Sequence, residues 1–205
     1  MLAASDPDLA RVLGCHGPPP LWSREAGFAT LVHLILEQQV SLASAAAAMA
    51  RLVSVIGLPD PGRLLSLDDA ALHAIGFSRQ KRAYARDLAH RILDGRLRLD
   101  DLEAAPDSEV IDRLTRVKGI GRWTADIYLL MALGRPDVWP VGDRALVVAV
   151  RRLRGLDRDP DPEEMAVLGE RWRPKRSIAA RMLWHLYLSE IRPRGGRASA
   201  PLPAT

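Results

Sequence analysis

A single cysteine, Cys15, among 205 residues excludes an intramolecular disulfide framework, a four-cysteine iron–sulfur cluster and a zinc ribbon within one chain. It suits a reducing compartment. Long apolar runs are also lacking. Glu37, Gln38 and Gln39 interrupt the longest one, short of the roughly 20 residues a membrane span needs. The N-terminus has no basic-then-apolar signal pattern, so the expectation is a soluble, cytoplasmic protein with no membrane partner. Aromatic residues make up 5% of the chain and alternating β-branched stretches are scarce, which argues against sheets. The five histidines show no metal-ligand spacing.

What is present points to helices. Alanine, leucine and arginine abound, and glycine or proline punctuates the chain at helix-length intervals, which predicts an all-α fold. The length allows one large domain or two small ones, enough to bury a core without staples. The net charge of +4 comes largely from arginine, whose planar fork suits phosphate.

Gly27 to Leu52 carries a broad apolar face and an alanine run at Ala45–Ala48; it reads as one helix, or two with a bend. Ser66 followed by Asp69 resembles a capping box for a short helix ended by Gly76. Ser78 starts another helix running toward Asp94. Its Arg79, Lys81, Arg82 and Arg86 form either a phosphate track or a solvated face. Pro106 and Asp107 open a helix ending near Val117, and the next runs from about Trp123 to Leu133. A helix over Ala145–Leu153 holds Asp143 in its first turn, Asp161-Pro162-Glu163-Glu164 caps another, and the last spans about Lys175 to Glu190.

Two local patterns carry chemistry. In Lys118-Gly119-Ile120-Gly121, glycine lets a turn between helices tighten and bring its N–H groups toward an anion. The following helix start favours negative charge, and Thr124 adds a hydroxyl one turn in. Further along, Val138-Trp139-Pro140-Val141-Gly142-Asp143 is an irregular loop delivering a carboxylate to a helix start, where the dipole favours it. Alone, the first is also a plain helix-turn-helix corner and the second an ordinary N-cap.

Leu114 through Ala125, together with the Pro140-x-x-Asp143 loop, resembles the helix-hairpin-helix motif, Gly/Pro-rich loop and aspartate of the base-excision DNA glycosylases, and within them the DNA-3-methyladenine glycosylase II family. The likeness extends upstream to Leu34-Ile35-Leu36-Glu37-Gln38-Gln39-Val40-Ser41 and downstream to Trp172-Arg173-Pro174-Lys175-Arg176-Ser177 through Trp184.

The resemblance implies a monofunctional enzyme. It would flip an alkylated purine (3-methyladenine or 7-methylguanine type) out of double-stranded DNA and hydrolyse its N-glycosidic bond, leaving an abasic site. Family members with lyase activity carry a lysine two residues after the second hairpin glycine, where this sequence has Trp123; no Schiff base forms there. By the same likeness Asp143 is the catalytic carboxylate, and Trp184, Trp123 and Ile127 line the base pocket. The resemblance further implies that Gly119, Gly121 and Thr124 would bind DNA phosphate and that main-chain carbonyls of Thr115, Val117 and Ile120 would hold a sodium or potassium ion; no other cofactor is implied. Gln39 aligns with the residue that fills the gap left by the flipped nucleotide, and fits equally well as a polar cap on a bend. Ile127 stands where the better-known bacterial relative has a pocket tyrosine, and that relative's β-rich N-terminal domain has no counterpart in this sequence. Two rivals stay open: a glycosylase for hypoxanthine, uracil or mismatched bases, and a helix-hairpin-helix module that binds DNA without chemistry.

The expected architecture is two helical subdomains with a cleft between them. Residues 27–142 would form a helical barrel containing the hairpin at 108–133, and residues 1–26 with 143–192 a second subdomain built from both chain ends. Residues 193–205 read as a disordered tail. A monomer acting at the nucleoid is expected.

Overall fold

The computed structural model describes residues 2–191, and its regular structure is helical throughout, with no strand among the described residues. In chain order the helices are α1 (Leu2–Ser5), α2 (Pro7–His16), α3 (Phe28–Glu37), α4 (Leu42–Ile56), α5 (Pro61–Ser66), α6 (Asp69–Ile75), α7 (Arg79–Leu93), α8 (Asp107–Thr115), α9 (Arg122–Met131), α10 (Arg144–Arg154), α11 (Pro162–Glu170) and α12 (Arg176–Leu186). A π-helical turn, Tyr187–Ile191, follows α12. The fold is all-α, as the composition predicts. The tail expected at 193–205 lies outside the described residues.

Side-chain caps set most of the helix starts. Ser78 accepts the Lys81 N–H at the start of α7, and Asp161 with Glu164 closes a reciprocal capping box on α11. The capping box expected at Ser66 is not there. Ser66 ends α5, with its hydroxyl donating to the Arg63 carbonyl. Asp68 caps α6 instead, its carboxylate accepting the Ala71 N–H at 2.7 Å. Gly76 does end α6, in the left-handed conformation. The Gly27–Leu52 segment is two helices with a turn, rather than one.

The chain divides into two compact units. One contains Arg24–Leu133. In it α3 packs on α4, α7 and α9, α5 lies along α7, and α8 pairs with α9. Its core is mostly aliphatic, with Leu31, Val32, Leu34, Ile35, Leu52, Leu64, Leu88, Leu114 and Leu130 all buried, and takes in Phe77 and Tyr128.

Among the described residues the other unit takes the chain up to Ser23 and from Gly134 to Ile191; in it α12 packs on α2 and α10. The expected boundary at 142/143 is therefore misplaced: the 134–142 stretch belongs with the chain ends. Ser177 explains why. Its hydroxyl donates to the Arg135 carbonyl at 2.6 Å and accepts the Val138 N–H at 2.9 Å, while Arg176 pairs with Asp137 at 2.8 Å. Trp139 then lies edge-on to Trp172 with ring centroids 5.0 Å apart, and its indole N–H donates to the Met165 carbonyl at 2.7 Å. A loop held by both polar and aromatic contacts moves with the helices that hold it.

That arrangement depends on Gly169 lacking a side chain, since a Cβ there would lie 2.4 Å from the Trp139 ring. Gly169→Ala is expected to lower stability by about 1–3 kcal/mol through overpacking, measurable as a reduced urea midpoint at unchanged m-value.

Candidate active site and nucleic-acid interface

Asp143 is the N-cap of α10, one residue ahead of the helix. Its Oδ1 accepts the Leu146 N–H at 3.0 Å and the Trp184 indole N–H at 3.0 Å. The residue is 7% exposed. The Asp143 N–H donates to the Pro140 carbonyl at 2.9 Å, so the Pro-x-x-Asp turn fixes the backbone while α10 and α12 fix the side chain. The structure thus joins Asp143 and Trp184, residues that the sequence keeps 41 positions apart. Two donors on one oxygen make an acceptor of fixed direction, suited to stabilising developing positive charge beside it.

Trp184 is itself only 7% exposed. The base-pocket role that the resemblance implies for it falls on a side chain whose N–H donates to Asp143. Beside it lies a residue that sequence reasoning missed: Trp22, half-buried, with its ring centroid 6.4 Å from that of Trp184 at 74°. Trp22 holds φ at +46°, a left-handed conformation that costs a bulky residue about 1–3 kcal/mol. Nothing periodic surrounds Trp22 in the sequence, so no pattern flags it.

In the other unit, α8 and α9 form the helical hairpin, closed by Gly119 at φ +84°. Only glycine fits: a Cβ would sit 2.1 Å from the Tyr84 ring. The turn is braced from two further directions. The Asp87 carboxylate accepts the Lys118 N–H at 2.8 Å, and the Gln38 amide donates to the Gly119 carbonyl at 2.9 Å. Burial pushes the Asp87 carboxyl up, but the Lys118 N–H and the Arg91 guanidinium outweigh it and leave it below the ordinary carboxylate value. Asp87 therefore contributes its stability above the unfolded-state carboxylate range and loses it as pH falls through the depressed value.

Thr124 departs from expectation. Its hydroxyl lies 3.4 Å from the Gln38 amide that donates to it and the residue is 2% exposed, so the side chain braces the hairpin from inside instead of reaching outward to a phosphate. The reason is depth along the helix: Arg122 at the start of α9 is exposed, but every residue from Thr124 to Leu130 is buried. Gln39 is exposed in the turn between α3 and α4, with φ +58°. Trp123 is half-buried and Ile127 buried. Among the cation-site carbonyls, that of Val117 accepts the Ile120 N–H at 3.0 Å.

Most of the α7 cations are tied into the protein: Lys81 to the Leu36 carbonyl at 2.7 Å, Arg82 to that of Phe77 at 3.1 Å and Arg86 to that of Leu67 at 2.7 Å. Of the two readings open for this charge run, neither the phosphate track nor the solvated face fits Lys81, Arg82 and Arg86; Arg79 lines a depression of about 420 Å³ with Gln80, Ala83, Tyr84 and Lys118.

A glycine-closed pair of helices together with a helix-capping carboxylate held by a tryptophan defines a helix-hairpin-helix protein. The chain belongs to the HhH-GPD superfamily of base excision DNA repair proteins, whose family model matches residues 32–175. It is 29% identical to a DNA-3-methyladenine glycosylase described as putative from Bacillus subtilis, over 88% of this chain and 66% of that protein. The structure of Schizosaccharomyces pombe 3-methyladenine DNA glycosylase in complex with abasic DNA superposes with a TM-score of 0.84 at 29% identity, covering 89% of this chain and 92% of that one. A DNA-3-methyladenine glycosidase from Bacillus halodurans gives 0.76 at 32% identity, covering 92% and 88%. Among the described residues no helix is long and apolar enough to cross a membrane.

The two hairpin glycines are expected to behave differently. Gly119→Ala combines a left-handed φ with the Tyr84 clash and is expected to cost more than about 2 kcal/mol. Gly121, at φ −93° with nothing within 4 Å of an added Cβ, is expected to tolerate alanine within about 0.5 kcal/mol in chemical denaturation while losing affinity for duplex DNA.

Proposed function

We propose that the protein is a monofunctional DNA glycosylase that removes alkylated purines from double-stranded DNA. The observation that carries this reading is the paired hydrogen bonding of Asp143 by Leu146 and Trp184, which holds a nearly buried carboxylate in one orientation. The S. pombe and B. halodurans relatives named for 3-methyladenine support the substrate class.

In the proposed reaction the target base leaves C1′ with the electron pair of the glycosidic bond. Ring alkylation has already placed positive charge on the base, so it departs neutral without a strong general acid. Asp143 stabilises the positive charge left on the sugar. Water then bonds to C1′ and gives up a proton, with Asp143 as its acceptor, and the product is an abasic site. No lysine follows the hairpin at Trp123, so no covalent intermediate forms at that position.

Main-chain N–H groups of Gly119 and Gly121 would contact a DNA phosphate at the start of α9. The carbonyls of Thr115, Val117 and Ile120 would hold a sodium or potassium ion there; the Val117 oxygen, which accepts the Ile120 N–H, retains a second lone pair. Gln39, exposed and held at a turn, would fill the space vacated by the flipped nucleotide. Such an enzyme works as a monomer at the nucleoid. A module that only binds DNA has no use for a carboxylate oriented by a tryptophan, and this disfavours the non-catalytic rival.

Asp143→Asn tests the assignment. The variant is expected to bind methylated duplex DNA within about 3-fold of wild type and to release 7-methylguanine at least about 100-fold more slowly. Equal release by both proteins, or loss of binding in parallel with release, contradicts a catalytic role.

A further inference from the structure

A cavity of about 490 Å³ lies in the unit built from the chain ends, between α2, the end of α10 and the π-helical turn. That volume is in the range of small-molecule sites. Arg11, Arg152 and Arg154 line it, with Leu153 and Leu186 as apolar wall. Asp143 caps the opposite end of α10, about 16 Å away at the rise of a helix, and has no part in it. Arginines elsewhere in the chain meet carboxylates at hydrogen-bond distance, as in Arg24 with Glu37 at 2.7 Å, Arg158 with Glu164 at 2.7 Å and Arg176 with Asp137 at 2.8 Å. The three at this cavity do not. Arg11 and Arg154 share Asp8 at 3.8 and 3.7 Å. Arg11 donates to the Leu153 carbonyl at 2.6 Å, Arg154 Nη2 is buried without an acceptor, and Arg152 has no partner among the described residues. Three guanidinium charges therefore answer to one distant carboxylate, and the local excess is positive. The acid in the lining, Glu190, stands on the π-helical turn and meets His16 Nε2 at 2.7 Å. Such turns recur at functional sites.

We propose that this cavity is a second ligand site, which takes a phosphate monoester of nucleotide size. Arg11, Arg152 and Arg154 receive the phosphate, Glu190 accepts the sugar hydroxyls, and Leu153 with Leu186 covers part of the base. A dianionic phosphate neutralises the excess charge, and the planar forks match its oxygens. A carboxylate in the lining suits a hydroxyl-bearing ester and opposes the continuous negative charge of duplex DNA, so the occupant is the free nucleotide and not the DNA backbone. The site stands independently of the glycosylase reading.

Cys15 lines the same cavity, is exposed and is the one cysteine of the chain, so its alkylation by neutral iodoacetamide, followed by mass spectrometry, reports occupancy. The probes are AMP, GMP, adenosine, inorganic phosphate and undamaged duplex DNA, with affinities measured by calorimetry. AMP or GMP is expected to bind with a Kd below about 1 mM and to slow Cys15 alkylation in proportion to occupancy. Adenosine does neither at the same concentrations, and inorganic phosphate binds about 10-fold more weakly than the nucleotide. Arg152→Gln breaks no contact within the protein. It is expected to weaken nucleotide binding about 10-fold at an unchanged thermal midpoint. Failure of both nucleotides to protect Cys15, or equal nucleotide affinity in Arg152→Gln and wild type, overturns the site. Protection by duplex DNA equal to that by nucleotide also overturns it, by assigning the cations to the DNA backbone.

Discussion

The hydrogen bond from the Trp184 indole to Asp143 Oδ1 is the constraint on which the candidate site depends. The same oxygen caps α10, so one acceptor ties a loop to the start of one helix and to the body of another. N-capping alone is worth about 0.5–2 kcal/mol, and a buried acceptor deprived of a donor costs about 1–3 kcal/mol more. The loop therefore has one low-energy arrangement. The surrounding contacts reinforce it: Ser177 and Arg176 fasten residues 135–138 to α12, and Trp139 fits against Gly169. A carboxylate positioned in this way need not reorganise when charge develops nearby.

The hairpin unit follows a different logic with the same result. In the proposed DNA contact the backbone itself would be the binding element, and the side chains around it hold the turn. Tyr84 occupies the volume that a Cβ at position 119 would need. Asp87 holds one flank and Gln38 the other, the latter linking the turn to the residue next to exposed Gln39. Thr124 belongs to this bracing set. What remains outward is main chain, with Arg79 and Lys118 lining the depression alongside.

Much of the fold was legible because caps and glycines are local signals. Ser78, Gly76 and the Asp161–Glu164 box mark helix ends within a few residues of the positions they control. The hairpin and the Pro-x-x-Asp loop were legible for the same reason. Features that depend on tertiary contact were not. The allegiance of 134–142 is decided by Ser177 and Trp172, far along the chain. The burial of Thr124 depends on packing around all of α9 and on Gln38, 86 positions away, and the proximity of Trp22 to Trp184 on the path of an irregular segment with no periodicity to read. Charge on α7 misled in a specific way: carbonyls at the ends of neighbouring elements absorb Lys81, Arg82 and Arg86, and composition cannot distinguish a cation that caps a carbonyl from one that faces solvent.

The central claim is that base removal here is hydrolysis directed by a carboxylate, without a covalent enzyme intermediate. It is tested most directly on duplex DNA carrying a single 7-methylguanine, incubated with the protein and then examined for strand breaks before and after alkali, and for a protein–DNA adduct trapped by borohydride. The account predicts breaks at the lesion only after alkali, and no trapped adduct. Breaks before alkali together with a borohydride-stable adduct would show an amine nucleophile at work, and absence of breaks even after alkali would show that no base had left.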